Sequence, residues 1–156
     1  MRDIEKCYPV LKEAWIYAKG VWSKVNANKP QVILTCTLRS WEEQEALYAQ
    51  GRFPLMEINR LRRKAGLTPI KPSEAKKIVT NAAPGQSKHN ADKTGLSRAF
   101  DIGFLNVSSG KNVSLNWDEN LFLEFNNILS KNFSAKIDWG GNWKKFKDFP
   151  HFEVKG

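Results

Sequence analysis

The chain of 156 residues holds only two histidines, and both sit where their chemistry could be used. His151 lies in KDFPHFEV, residues 147–154, three places after Asp148 and directly after Pro150. His89 follows PGQSK, a loop signature, and precedes Asp101 in the stretch SKHNADKTGLSRAFDIGF. Within AFDIGF, period-two alternation puts Phe100, Ile102 and Phe104 on one face and Ala99, Asp101 and Gly103 on the other. A strand that buries three large apolar groups must point the Asp101 carboxylate the opposite way, between small neighbours. The same alternation in PHFEV sends Phe152 and Val154 to one side and His151 and Glu153 to the other. Two strands far apart in sequence can thus each offer a ligand-type side chain to one polar face, and His89 can reach that face from its loop.

Two imidazoles and a carboxylate, with a fourth position open to water, make up a standard catalytic zinc set. Zinc lowers the pKa of bound water to about 7, and a hydrolase then needs a carboxylate nearby to move the proton. Asp148 suits that task. Phe149 precedes a proline and is biased towards extended geometry, and Pro150 has a fixed φ, so DFPH holds aspartate and histidine in a stiff relation. Each signal has an ordinary alternative when taken alone. A histidine among aromatics is commonly a satisfied structural group, Asp101 a turn or surface residue, and Asp148 an exposed neighbour of Lys147. The conjunction of the two motifs favours the metal reading. Asp92 is a competing carboxylate three residues after His89, but NADKTG has no apolar neighbours to aim it. Asp101 is therefore the expected ligand.

The elements that must position these groups are legible from periodicity. PVLKEAWIYAKGVWSKV carries a helical stripe of Val10, Leu11, Ala14, Trp15, Ala18, Val21 and Trp22, with Pro9 as its first helical residue. QVILTC reads as a buried strand, and SWEEQEALYAQG as a helix with a Ser40–Glu43 capping box and a stop at Gly51. LMEINRLRRKAG reads as a basic helix, LTPIKPSEAKK as exposed loop and IVTNA as a short strand. NWDENLFLEFNNILSKN is a helix with Leu121, Phe122, Phe125, Ile128 and Leu129 on one face, and the tail after it suggests short strands around Gly140–Gly141. The expected architecture is α+β, a single domain over residues 1–156.

Composition narrows the function classes. Six tryptophans and nine phenylalanines are too many core formers for a disordered chain. No apolar run reaches membrane-spanning length, which excludes an integral membrane protein. MRDIEKCYPVLKEAW lacks the apolar stretch of a signal peptide, so synthesis in the cytoplasm is expected. Cys7 and Cys36 form no C-x-x-C and are read as reduced, structural thiols. A formal charge of +9, from 25 basic and 16 acidic residues, favours polyanionic partners or simply keeps the protein soluble. There is no basic-aromatic recognition motif for nucleic acid, which is therefore not an expected partner.

With these residues in view, the chain resembles a family. SKHN…GLSRAFDIG followed by WGGNWKKFKDFPHFE is similar to the zinc-dependent D-Ala-D-Ala carboxypeptidases and L-alanyl-D-glutamate endopeptidases, the LAS metallopeptidases. LRSWEEQEALYAQGR and IVTNAAPGQSKHN match their upstream segments, so the resemblance runs from about residue 8 to 154. LYAQGR with DFPHFE is closest in wording to phage-type endolysins. The resemblance implies a small, mainly antiparallel sheet carrying the zinc site and flanked by helices, as in Hedgehog and DD-peptidase folds. It implies Zn2+ on His89, Asp101 and His151, with Asp148 as general base and then acid. It implies that Arg39 holds a substrate carboxylate or the developing oxyanion, and that Ser87 helps to position substrate. By spacing alone, Arg39 reads instead as a surface ion-pair partner of Glu42 or Glu43, and Ser87 as a loop hydroxyl. The substrate class implied is the peptidoglycan stem peptide, cut at L-Ala-D-Glu, with a D-Ala-D-Ala carboxypeptidase and a non-catalytic, zinc-containing wall-binding module as alternatives. A monomer acting at the bacterial cell wall, where anionic wall polymers attract its charge, is the expected setting. The chain departs from the family in the eleven residues between His89 and Asp101 and in a basic insertion over residues 53–77.

Overall fold

A computed structural model describes residues 1–25, 28–106 and 113–156. The polypeptide forms helix α1 (Pro9–Val25), strand β1 (Gln31–Cys36), helices α2 (Trp41–Ala49) and α3 (Leu55–Lys64), and strands β2 (Ala99–Asn106) and β3 (Ser114–Leu115). Helix α4 (Glu119–Phe133) and strands β4 (Ile137–Trp139) and β5 (His151–Val154) complete it. The sheet runs β1-β2-β5-β4, with the two-residue β3 also pairing with β2, and every pairing is antiparallel. This is the expected α+β architecture.

One side of the sheet is the core, for the reason visible in the sequence. Leu11, Ala14, Trp15, Ala18 and Trp22 recur at helical spacing and are all buried on α1. Leu121, Phe122, Phe125 and Leu129 do the same on α4, which is capped by the Asp118 side chain accepting from the Asn120 N–H at 3.0 Å. Both helices pack on Phe100, Ile102, Phe104 and Phe152, each with no exposed surface. Phe100 stacks on Phe152 across the β2–β5 pair with ring centroids 5.4 Å apart. Each such side chain contributes about 1.5–3 kcal/mol of burial. Because they occupy one face, Asp101 must occupy the other.

The insertion folds as a small annex. Ala46, Ala49, Ile58 and Leu61 form a second buried cluster between α2 and α3, and residues 65–77 wrap it with only a short 3-10 turn at Pro72–Glu74. Gly51 ends α2 with φ of 84°, and a Cβ there would lie 2.6 Å from the Ile78 side chain. The chain turns sharply at that point because this residue is glycine.

Two local expectations are corrected. IVTNA forms no strand, because no neighbouring strand pairs with it. The Thr80 and Ala82 carbonyls accept instead from the side chains of Arg52 and Gln44, at 3.1 and 2.7 Å. Only the Ser40 half of the capping box is present, with its hydroxyl accepting from the Glu43 N–H at 3.1 Å.

Candidate active site

The antiparallel register places Asp101 of β2 directly opposite His151 of β5. Directly opposed residues share a face. The His151 ring therefore meets the carboxylate, with Nδ1 3.0 Å from Asp101 Oδ1 and Nε2 2.9 Å from Glu153 Oε2. The loop histidine arrives from the other side. His89 Nε2 lies 3.1 Å from the same Asp101 Oδ1, and the two imidazole centroids are 5.1 Å apart. One carboxylate oxygen thus touches a nitrogen from each ring.

His89 stands in no helix or strand, yet it is held on all sides. Its Nδ1 donates to the Thr37 carbonyl at 2.7 Å, its N–H to Ser87 Oγ at 3.2 Å, and its carbonyl accepts from the Arg39 N–H at 2.9 Å. The amide of buried Asn90 adds a bond to the Arg39 carbonyl at 2.9 Å. A carbonyl can only accept, so Nδ1 keeps its proton, and the ring can offer a metal its Nε2 lone pair once the Nε2 proton is displaced. Thr37 for His89 and Glu153 for His151 are the kind of outer partners that orient metal-binding imidazoles. Two such nitrogens and a carboxylate, converging in a partly dry pocket, fit a zinc ion by donor type.

Charge sharing explains the titration. Burial pulls the His89 imidazole down, but the Asp101 charge and hydrogen bond outweigh it and lift the ring to about 10. His151 is likewise pulled down by burial and lifted to about 9 by its bonds to Asp101 and Glu153. Burial raises the Asp101 carboxyl, yet the His89 charge and the bonds from both rings hold it far below its usual range. Without metal, then, the imidazoles are protonated at neutral pH, and metal must displace those protons. Stability from raised imidazoles is complete below their unfolded value near 6.5 and is lost as pH rises through 9–10. Chelated protein is expected to melt at lower temperature at pH 9.5 than at pH 6, while the gain on adding zinc grows over that range. Thermal melts with and without chelator at both pH values check both signs.

Arg39, Ser87, His89, Asp101, Asp148, His151 and Glu153 all line one cavity of about 820 Å³. Burial first, and then the Asp101 charge, push the Asp148 carboxyl up from its usual value. Its N–H donates to the Gly140 carbonyl at 3.1 Å, and a Cβ at Gly140 would come within 2.3 Å of the Asp148 carbonyl oxygen. Glycine at 140 therefore lets the Asp148 loop close onto the sheet end. Arg39 reaches within 3.9 Å of Asp101 Oδ2 and donates to buried Gln44 at 2.9 Å; among the described residues it pairs with neither Glu42 nor Glu43. Asp92 is not in this cluster. It takes the Tyr8 hydroxyl and, through Oδ1, the Thr94 N–H at 2.7 Å, so it is held, but elsewhere.

Sequence reasoning missed two participants. Cys36 Sγ lies with ligand atoms of His89 and Asp101, all within 4.8 Å of one another. Alternation along β1 assigns Cys36 to the core face with Val32 and Leu34. An irregularity between Leu34 and Cys36 brings it opposite Asp101 instead, and only that shift turns the thiol into the site. Glu153 was placed on the right face, but its task as partner of His151 Nε2 needed the rotamers. Glu153→Gln is expected to weaken zinc binding about 10–100-fold with the fold intact, measured by competition with a chelating dye.

Known proteins resemble this chain in sequence and in fold. Residues 80–154 match a family model described as D-alanyl-D-alanine carboxypeptidase. The chain is 30% identical over 135 residues to the peptidoglycan L-alanyl-D-glutamate endopeptidase CwlK of Bacillus subtilis (strain 168), an alignment covering 82% of this chain. It spans 64% of that relative's length. Its fold is similar to the crystal structure of the Serratia marcescens L-Ala D-Glu endopeptidase ChiX, with TM-score 0.54 and 16% identity over 97% of this chain and 83% of that one. In sequence the chain is thus similar to the LAS-type metallopeptidases, and its fold is similar to that of a solved endopeptidase.

Proposed function

We propose that the protein is a zinc peptidase that hydrolyses an amide bond of peptidoglycan stem peptides, between L-Ala and D-Glu. The observation that carries this reading is the shared contact of Asp101 Oδ1 with His89 Nε2 and His151 Nδ1, with Asp148 in the same cavity. His89, Asp101 and His151 would hold the metal. When bound, zinc supplies Lewis acidity and lowers the pKa of water to about 7. Asp148 takes the proton of the attacking water on its carboxylate and returns it to the nitrogen of the leaving amine. Its raised pKa suits that transfer, since burial and the Asp101 charge make the carboxylate a stronger base than an ordinary aspartate while it can still return the proton. Arg39 offers a fixed guanidinium fork for charge developing on the carbonyl oxygen or for a substrate carboxylate. Ser87, whose hydroxyl accepts the His89 N–H, positions both the ligand loop and substrate.

L-Ala-D-Glu is favoured over other bonds because CwlK, the relative matched over 82% of this chain, is an L-alanyl-D-glutamate endopeptidase. The description of the matching family model supports D-Ala-D-Ala carboxypeptidase as a second reading. The biological result proposed is lysis of the bacterial wall in the manner of a phage-type endolysin, with the +9 charge holding the protein on anionic wall polymers. The deciding experiment is mass analysis of purified peptidoglycan digested with and without chelator. Chelator-sensitive cleavage that separates L-Ala from D-Glu supports the endopeptidase. Loss of terminal D-Ala alone transfers the assignment to the carboxypeptidase, and unchanged fragments sink both.

A further inference from the structure

One wall of the cavity has no task in this chemistry: residues 78–82, Ile-Val-Thr-Asn-Ala, all of which line it. Part of their main chain is committed to the protein. The Thr80 carbonyl accepts from Arg52 at 3.1 Å, the Ala82 carbonyl from buried Gln44 at 2.7 Å, and the Ala82 N–H donates to the Thr80 hydroxyl at 3.2 Å. Among the described residues, the N–H and C=O groups of Val79 and Asn81 have no hydrogen-bond partner. Held and free carbonyls therefore alternate, 80 and 82 against 79 and 81. An edge strand with one side satisfied has the same alternation.

A second feature of the cavity is Phe146. It is 80% exposed and is the one non-glycine residue, among those described, with φ in the left-handed region, at 52°. A bulky residue in that region is strained and persists only where its surroundings impose it, which is common at ligand clamps. Ile78 and Val79 are also half exposed in the same cavity, whose lining carries the cations Arg39, Lys88 and Lys147 beside the carboxylates of Asp101, Asp148 and Glu153.

We propose that Val79 and Asn81 form a backbone-pairing edge to which the peptide substrate adds as an extended strand, with Phe146 covering it. This rests on the stem-peptide reading above. A peptide of alanine and glutamate residues has few side chains to grip, so main-chain amides and carboxylates are its handles. Strand addition draws affinity from main-chain hydrogen bonds. The three cations complement the carboxylates, and an aromatic cover excludes water, which strengthens the bonds beneath it. The edge also adjoins His89 and Asp148 in one cavity, so a strand laid on it presents an amide to both.

The test compares a synthetic stem peptide with an analogue in which the amide next to the scissile bond is an ester, which deletes one N–H. The native protein is expected to cut the ester analogue with kcat/KM about tenfold lower, the loss of one hydrogen bond. The partner of the deleted N–H is a protein carbonyl, which Val79→Pro keeps, but the proline ring removes the Val79 N–H and blocks the close approach that bonds to both groups need. This variant is expected to lower kcat/KM for the parent peptide at least as much at unchanged zinc content, and to abolish the difference between the two peptides. Val79→Ala should retain the difference. Equal turnover of both peptides by the native protein overturns the proposal, and that comparison stands even if the proline variant fails to fold. Binding separates this inference from the peptidase reading. If the parent peptide binds uncut and the ester binds about tenfold more weakly, the peptidase reading fails and the edge stands; equal affinity overturns the edge.

Discussion

Asp148→Asn is expected to bind zinc as tightly as the parent protein and to lose turnover by about 10²–10⁴-fold. Asp148 is not among the residues that share Asp101 Oδ1, so the metal donors are untouched. Asparagine is nearly isosteric, and the contacts that hold this loop are main-chain bonds, from the Asp148 N–H to Gly140 and from the His151 N–H to the Asp148 carbonyl at 3.2 Å. Only the ability to accept and return a proton disappears. The acid limb of the pH–rate profile adds a second readout. Burial and the Asp101 charge raise the Asp148 carboxyl, so activity should fall on acidification above the usual aspartate range, and the residual activity of the variant should lack that limb. Metal analysis beside steady-state rates decides the matter. A variant that loses its zinc makes Asp148 a ligand, and one that keeps full turnover transfers the proton to another carboxylate, Glu153 being next in the cavity.

Asp101→Ala is expected to abolish both zinc retention and activity, whereas Asp92→Ala changes either by less than about tenfold, or 1.4 kcal/mol. Among the described residues, Asp101 is the group hydrogen-bonded to both imidazoles, and without it the two rings face each other with no carboxylate between them. The argument for Asp101 is its strand: Phe100 and Ile102 are fully buried on the far side and fix the direction of the carboxylate. Asp92 is not loose; Tyr8 and Thr94 hold it in its own turn, away from the metal donors. Its removal should cost some stability in the 92–96 turn and leave zinc content unchanged. The reverse ranking in zinc content and turnover would mean that the longer loop has rebuilt the site.

How much of this was written in the chain depends on the range of the interaction. Stripes on α1 and α4, alternation in β2 and β5, and the stiff DFPH link are local patterns, set by backbone geometry and the burial of large apolar groups a few residues apart. They are enough to show that Asp101, His151 and Glu153 point away from the core and that Asp148 stays near His151. The expectation of a strand at IVTNA failed because a strand needs a partner, and no run of residues states whether one will be adjacent.

The sequence alone determined the fold class, the face on which each strand residue lies and the identity of the chemical groups available. Tertiary structure decided which of those groups meet. It set Asp101 opposite His151 through the β2–β5 register, and brought in His89 through bonds to Thr37, Ser87 and Arg39. It also turned Cys36 into the site by a one-residue irregularity in β1 that reverses the face implied by alternation. The contacts of His89 with Asp101, His151 with Asp101 and His89 with Thr37 join residues 12, 50 and 52 positions apart, whose pairing is selected by the packing of the whole sheet on its helices and leaves no local periodic trace.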